Sequence, residues 1–116
     1  DNPYFDYFMN QKINDLSNNG IDVHTSINIS HSDYYLDREY VEYLIKIINL
    51  FKKEATQITI NIYEKHGFNI IEVLTSKNMK LTFDNSFKQL AQHLDAQYKV
   101  TQDNELCVFK SIQSMK

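Results

Sequence analysis

From Asp37 to Leu74 the spacing of apolar residues changes once, from a repeat of three or four to a repeat of two. Tyr40, Val41, Leu44, Ile47, Ile48 and Phe51 fall on one stripe of a helix running from Asp37 to about Glu54. Asp37 suits its N-cap or first turn, and Lys52 and Lys53 suit its last, where positive charge complements the helix dipole. Tyr43, Ile45 and Leu50 widen the stripe, so more than one side of this helix should be covered. Ile58, Ile60 and Ile62 then alternate with Thr59, Asn61 and Tyr63, and Phe68 to Leu74 is nearly all apolar. These are two strands, with Glu64-Lys65-His66-Gly67 as the hairpin turn between them.

The flanking segments extend this pattern. Tyr4, Phe5, Phe8, Met9, Ile13 and Leu16 recur at helical spacing and predict a first helix over 3–18, with Pro3 in its first turn and Asn18-Asn19-Gly20 as its stop. Ile21 to Ile29 alternates, with Ile21, Val23, Ile27 and Ile29 on one face and Asp22, His24, Ser26 and Asn28 on the other. That is a half-exposed strand. Ser30 to Tyr35 reads as a polar connection. Downstream, a short strand is expected near Met79–Phe83, then a helix capped by Asp84 or Asn85 and carrying Phe87, Leu90, Ala91 and Leu94. Two strands close the chain, at about Gln97–Thr101 and Glu105–Ser111, and residues 112–116 are expected to fray. Helices separated by antiparallel hairpins predict an α+β fold: a two-layer α/β sandwich, with a mixed, mostly antiparallel sheet and its helices on one face.

The chain has 116 residues, enough for one domain over 1–116 and too few for two. A formal charge of −3 gives no general attraction to phosphate backbones or anionic lipid, which argues against nucleic-acid binding and direct membrane contact. No apolar run is long enough to span a bilayer. The single cysteine, Cys107, excludes an internal disulfide and reads as a buried, reduced thiol in a strand. A first residue of Asp1 rather than Met suggests a piece of a longer protein. Two glycines, Gly20 and Gly67, are isolated at expected chain reversals, so no Gly-rich phosphate loop exists.

The element order resembles that of the catalytic ATP-binding domain of bacterial sensor histidine kinases, over about Phe5 to Ile112. Asn10-Gln11-Lys12 onward into Asn19-Gly20-Ile21-Asp22-Val23 is similar to that family's first helix and strand. Asp37-Arg38-Glu39-Tyr40, followed by Leu44-Ile45-Lys46-Ile47-Ile48-Asn49-Leu50, is similar to the lead-in of its long asparagine-bearing helix. The hairpin from Ile58 to Val73 is similar to its two central strands. The resemblance implies a Bergerat-like fold, here with a shortened lid.

Three departures bear on function. In the family, the long helix carries two polar residues one turn apart, and the second is an Asn that holds the magnesium bridging the phosphates. Matching Asn49-Leu50 to the family's Asn-Leu puts Asn49 at the first position and Lys53 at the second; a register slipped by two puts Phe51 there instead. A protonated lysine has no lone pair for magnesium and repels it. After the central hairpin, where the family reads adenine with an Asp followed by glycines, this chain has Leu74-Thr75-Ser76-Lys77-Asn78. The family's long, glycine-bearing lid is replaced by Thr75 to Ser86, which contains no glycine. Asn49, Lys53 and Thr75 are thus positions of a degenerate site. The expectation is no catalytic residue, no bound cofactor or metal, and no ordinary ATP binding.

Other constellations are plain. His24, His31, His66 and His93 form no metal-ligand spacing. His93 has Asp95 nearby but lies on the last helix, which argues against a phosphoacceptor. Asp33, Asp37 and Glu39 are explained by dipole complementation. Tyr34, Tyr35, Tyr40 and Tyr43 gather around the long helix; most read as core or core edge, and any exposed together would mark a partner surface. The degenerate state resembles the C-terminal domain of the sporulation phosphotransferase group. The expected role is a cytoplasmic interaction or regulatory module of bacterial two-component signalling, partnered by a response regulator or kinase component, in a homodimeric parent. The alternatives are a domain of an active sensor kinase or phosphotransferase whose acceptor His lies upstream, or an unrelated small α/β protein-binding module.

Overall fold

The computed structural model describes residues 2–115; Asp1 and Lys116, and the expectations that rest on them, lie outside that range. The elements are α1 (Pro3–Asn18), β1 (Asp22–Asn28), a 3-10 helix (Asp33–Leu36), α2 (Arg38–Lys52), β2 (Gln57–Lys65), β3 (Phe68–Thr75), α3 (Asn85–His93), β4 (Gln97–Gln102) and β5 (Cys107–Ser114). The sheet order is β1-β2-β3-β5-β4. β1 runs parallel to β2, and every other neighbouring pair is antiparallel. The expected mixed, mostly antiparallel sheet is what forms.

Local chemistry explains the boundaries. Asp37 caps α2, its side chain accepting the Glu39 N–H at 2.9 Å. Asp84 caps α3 in the same way through the Phe87 N–H at 2.8 Å. Past the end of α1, Gly20 takes φ +80°. The Gly20 N–H then reaches the Ser17 carbonyl and the Ile21 N–H the Leu16 carbonyl, both at 3.0 Å, while Ile21 and Leu16 are both buried. The β2–β3 hairpin closes through two residues, His66 and Gly67, since Lys65 already pairs with Phe68. Both turn residues have positive φ, as a tight hairpin turn twisted with its strands requires.

The core lies between sheet and helices. Along β2, Ile58, Ile60 and Ile62 are buried, and across the sheet Ile60, Val73 and Phe109 stand in register. From α2, Tyr40, Tyr43, Leu44, Ile47, Ile48 and Phe51 have no exposed surface, which accounts for the wide apolar stripe. Phe5, Met9 and Leu16 of α1 and Phe87 and Ala91 of α3 complete it.

Three expectations need correction. Met79–Phe83 forms no strand. Its side chains do alternate, Met79 and Leu81 buried and Lys80 and Thr82 exposed, but both edges of β3 are already paired, with β2 and β5. Residues 112–114 do not fray. They finish β5 against β3, with Gln113 opposite Asn69 and Ser114 opposite Phe68, and the Met115 N–H bonds the Gly67 carbonyl at 3.0 Å. Within the polar connection after β1, the stretch Asp33–Leu36 winds into a 3-10 helix started by Ser32, whose hydroxyl accepts the Tyr34 N–H.

Candidate functional site

The outward side of α2 and the β3–α3 connection enclose a cavity of about 370 Å³. α2 and the residues just past it supply Lys46, Asn49, Leu50, Lys53 and Glu54; the far wall is Lys80, Thr82, Asp84 and Phe87. Lys46, Asn49 and Lys53 share this wall because spacings of three and four put them on one helix face. Of the degenerate-site positions, then, Asn49 and Lys53 come together.

Thr75 does not join them. It is buried at the end of β3, where its hydroxyl donates to the Gln57 carbonyl at 2.6 Å. The side chain is spent on the sheet.

Asn49 is also engaged from α1: the Lys12 ammonium donates to its Oδ1. Lys12 belongs to a small cluster in which Asp15 sits 3.6 Å from Lys12 and 2.8 Å from Lys52. Burial, reinforced by the Lys52 charge, pulls the Lys12 ammonium below its usual range. The hydrogen bond from Lys52 holds the Asp15 carboxyl below the usual carboxylate range. Lys52 therefore ties α2 to α1, and is not only a solvated terminal charge.

Lys46, Lys53 and Lys80 differ. Among the described residues none of the three makes an ion pair or side-chain hydrogen bond. The carboxylates on the same walls are Glu54 and Asp84, and Asp84 is already capping α3. Lys77 anchors the connection from behind, donating to the Glu54 carbonyl at 3.1 Å.

That connection is short and seated. Met79 and Leu81 reach the core, and Phe83 packs on Phe87, Tyr98 and Phe109 with ring centroids 5.0 to 6.1 Å apart. The Met79 backbone also hydrogen-bonds the buried Cys107, whose thiol burial pushes up. Lys46 was missed, although its place three residues before Asn49 on the same helix face could have found it. Lys80, Thr82 and Phe87 carry no such signal, because they reach the cavity only through the path of the connection.

The tyrosines do not form a surface. Tyr35, Tyr40 and Tyr43 have no exposed area, and Tyr34 is half-buried. Aromatic rings at helical spacing face the core here, and their hydroxyls are satisfied inside it. Tyr40 donates to Asn69 at 2.9 Å, Asn69 donates to Tyr35 at 3.0 Å, Tyr43 meets Ser111 at 2.8 Å, and Tyr34 donates to Gln113. Glu64 ends the chain of bonds, accepting from the Tyr35 hydroxyl and from both the N–H and hydroxyl of Ser30. Burial raises the phenol pKa values of all four tyrosines.

The histidines are scattered. His24 lies 3.2 Å from Asp22, and His93 pairs with Glu39 at 3.0 Å, not with Asp95. No three His, Cys, Asp or Glu side chains converge among the described residues. No helix is long and apolar enough to cross a membrane.

The fold is that of histidine-kinase ATP-binding domains. The histidine kinase domain of the Erythrobacter litoralis EL346 blue-light activated histidine kinase superposes with a TM-score of 0.76 at 10% identity, over 97% of this chain and 61% of that one. The catalytic domain of histidine kinase ThkA, in a nucleotide-free form, gives 0.67 at 12% identity over 97% and 90%. A bacterial phosphotransferase gives 0.64 at 8% identity, over 83% of this chain and 57% of that one. At such identities the likeness is one of fold. The chain thus spans less than two thirds of the kinase domain and of the phosphotransferase it overlays. No family model matches the sequence. No curated protein matches it either.

Proposed function

We propose that this domain has given up magnesium-ATP and works in bacterial two-component signalling as a cytoplasmic interaction or regulatory module, with a response regulator or kinase component as its partner. One observation carries the reading. Lys53 stands one turn beyond Asn49 on the cavity wall, an unpaired ammonium at the position that resembles the magnesium-holding Asn of kinase domains. A protonated amine offers no lone pair, and its charge repels a divalent ion.

Two further features support it. Thr75 is a threonine with no carboxylate for a purine amino group, and its hydroxyl is spent on the Gln57 carbonyl. The connection after it is pinned by Met79 and Leu81 and contains no glycine to hinge on. A scaffold whose ligand groups are gone still supplies a surface, and surface recognition is the role left to it.

Magnesium-ATP titration followed by thermal melting tests the reading. Site-specific binding stabilises by mass action, by ~2.7 kcal/mol at a hundredfold excess over the dissociation constant. The expected result is no rise in melting temperature that depends on magnesium. A magnesium-dependent rise saturating with ATP overturns the proposal.

A further inference from the structure

The helices pack on one face of the sheet and leave the other uncovered by any described element. Ile71, Val73 and Phe109 point into the core, so strand alternation turns Ile70, Glu72, Leu74, Val108, Lys110 and Ile112 to the uncovered face. Among the described residues, Ile70 is the one buried apolar side chain outside the core cluster. Its cover comes from its own face. Tyr63 and Ile112 stand opposite it on the two neighbouring strands, and Phe68 lies two residues away along β3. Phe68 is 43% exposed and Ile112 40%, a large apolar surface for side chains so close together.

A two-fold axis parallel to the strands, over the seam between β3 and β5, makes this face complementary to itself. Glu72 pairs with Lys110 across that seam, so the rotation sets Glu72 of each copy over Lys110 of the other. It likewise sets Ile70 over Ile112, and Leu74 over Val108. Within one chain Glu72 lies 3.7 Å from Lys110 and both side chains stay partly open, so two copies close a ring of alternating charge. Tyr63, one strand beyond β3, comes to lie over Gln97, one strand beyond β5. There a hollow of about 300 Å³, lined by Gln97, Lys99, Lys110 and Ile112, can receive its ring. Five strands about 4.8 Å apart, each with about six residues rising about 3.3 Å, give roughly 500 Å² per copy. Two copies thus bury about 1,000 Å², the lower limit for a specific interface.

The geometry points to the uncovered face of the sheet as a homodimer interface, on which a second copy of this chain stacks about the β3–β5 seam. It is independent of the loss of magnesium-ATP, since Asn49 and Lys53 lie on α2 and just past it, on the other side of the sheet. Tyr63, Phe68 and Ile112 supply the apolar contact, and the Glu72–Lys110 ring fixes register more than it adds affinity. Lys99, opposite Lys110 on the edge strand, falls at the rim, where solvent and salt screen it. So small an interface gives weak association, with a dissociation constant on the order of 100 μM.

Sedimentation velocity of the full chain, from about 10 μM to about 1 mM in physiological salt, tests it. The unaltered chain is expected to move from 13.8 kDa toward twice that mass. F68Q/I112Q should weaken association at least about tenfold, the loss of two apolar contacts. Y7Q/L36Q, which changes the two large exposed apolar side chains of the helical side, should associate like the unaltered chain. E72K and K110E each make the ring all of one sign and should stay monomeric alone. Mixed in equal amounts, they should dimerise at least as tightly as the unaltered chain. An ion pair that served only within one chain would not be restored by mixing. The substituted side chains are all at least partly exposed, and circular dichroism checks that each variant folds. The apolar pair and the charge swap are separate arms, so a variant that misfolds in one leaves the other to decide. A chain that stays at 13.8 kDa throughout, association that F68Q/I112Q leaves intact, or a mixture no tighter than E72K or K110E alone overturns the inference.

Discussion

The hydroxyl of Tyr40, on α2, donates to Oδ1 of Asn69, on β3, at 2.9 Å, and both side chains are fully buried. Asn69 passes the bond on to Tyr35, so a polar thread crosses the boundary between helix and sheet layers. Removing the donor strands a buried carbonyl oxygen. Tyr40→Phe is expected to destabilise the domain by about 1–3 kcal/mol, the desolvation penalty of an unsatisfied buried group. Urea unfolding with an unchanged slope measures it.

Glu64 makes the same network sensitive to acid. Burial pushes its carboxyl up, but the hydrogen bonds from Tyr35 and Ser30 together outweigh that and hold it below the usual range. A depressed pKa in the folded state contributes stability that is present above the unfolded value of about 4.3. That contribution is lost as pH falls through the folded pKa. Glu64→Gln should therefore flatten the acid limb of a stability–pH curve below pH ~4.3. A limb identical in the two proteins would show that the network does not respond to protonation.

Four of the described residues hold positive φ: Gly20 at 80°, Gly67 at 81°, His66 at 54° and Asp95 at 56°. A Cβ built on Gly67 meets nothing within 4 Å, so Gly67→Ala probes backbone conformation alone. It should cost about 1–2 kcal/mol. Conversely, His66→Asn and Asp95→Gly place residues better suited to the left-handed region, and each should stabilise by about 0.5 kcal/mol. Thermal melting separates the three signs.

Cys107 is buried in β5 and its thiol is pushed up by that burial. Thiolate is the reactive form, so labelling by a thiol reagent in native buffer should be slow. The rate should rise with urea in step with global unfolding. Fast labelling of the native protein would mean that the segment over Cys107 opens on its own.

How far the sequence specified the molecule depended on whether each signal was local. α2 and the β2–β3 hairpin were legible because period and caps lie within a few residues: Asp37 caps, and His66-Gly67 turns. Asn49 and Lys53 meet at the cavity for the same reason, helical spacing. The Met79–Phe83 segment was misread because alternation reports two faces, not a pairing partner, and β3 had no free edge. The order of residues 112–114 was invisible because it comes from Asn69, Tyr34 and Gly67, all distant in the chain. The tyrosines illustrate a different gap. Four rings around one helix read mostly as core or core edge, but the sequence does not show what satisfies their hydroxyls; Asn69, Ser111, Gln113 and Glu64 on the sheet do so.

Seating Met79 and Leu81 in the interior links the timing of the segment over 76–84 to the cohesion of the whole domain. A loop tethered only by its ends rearranges rapidly, whereas one that must first withdraw two apolar side chains waits for local unfolding. The wall of the cavity is consequently a standing part of the architecture. Its contour is set by the same packing that holds the core together, not by a flap that comes and goes.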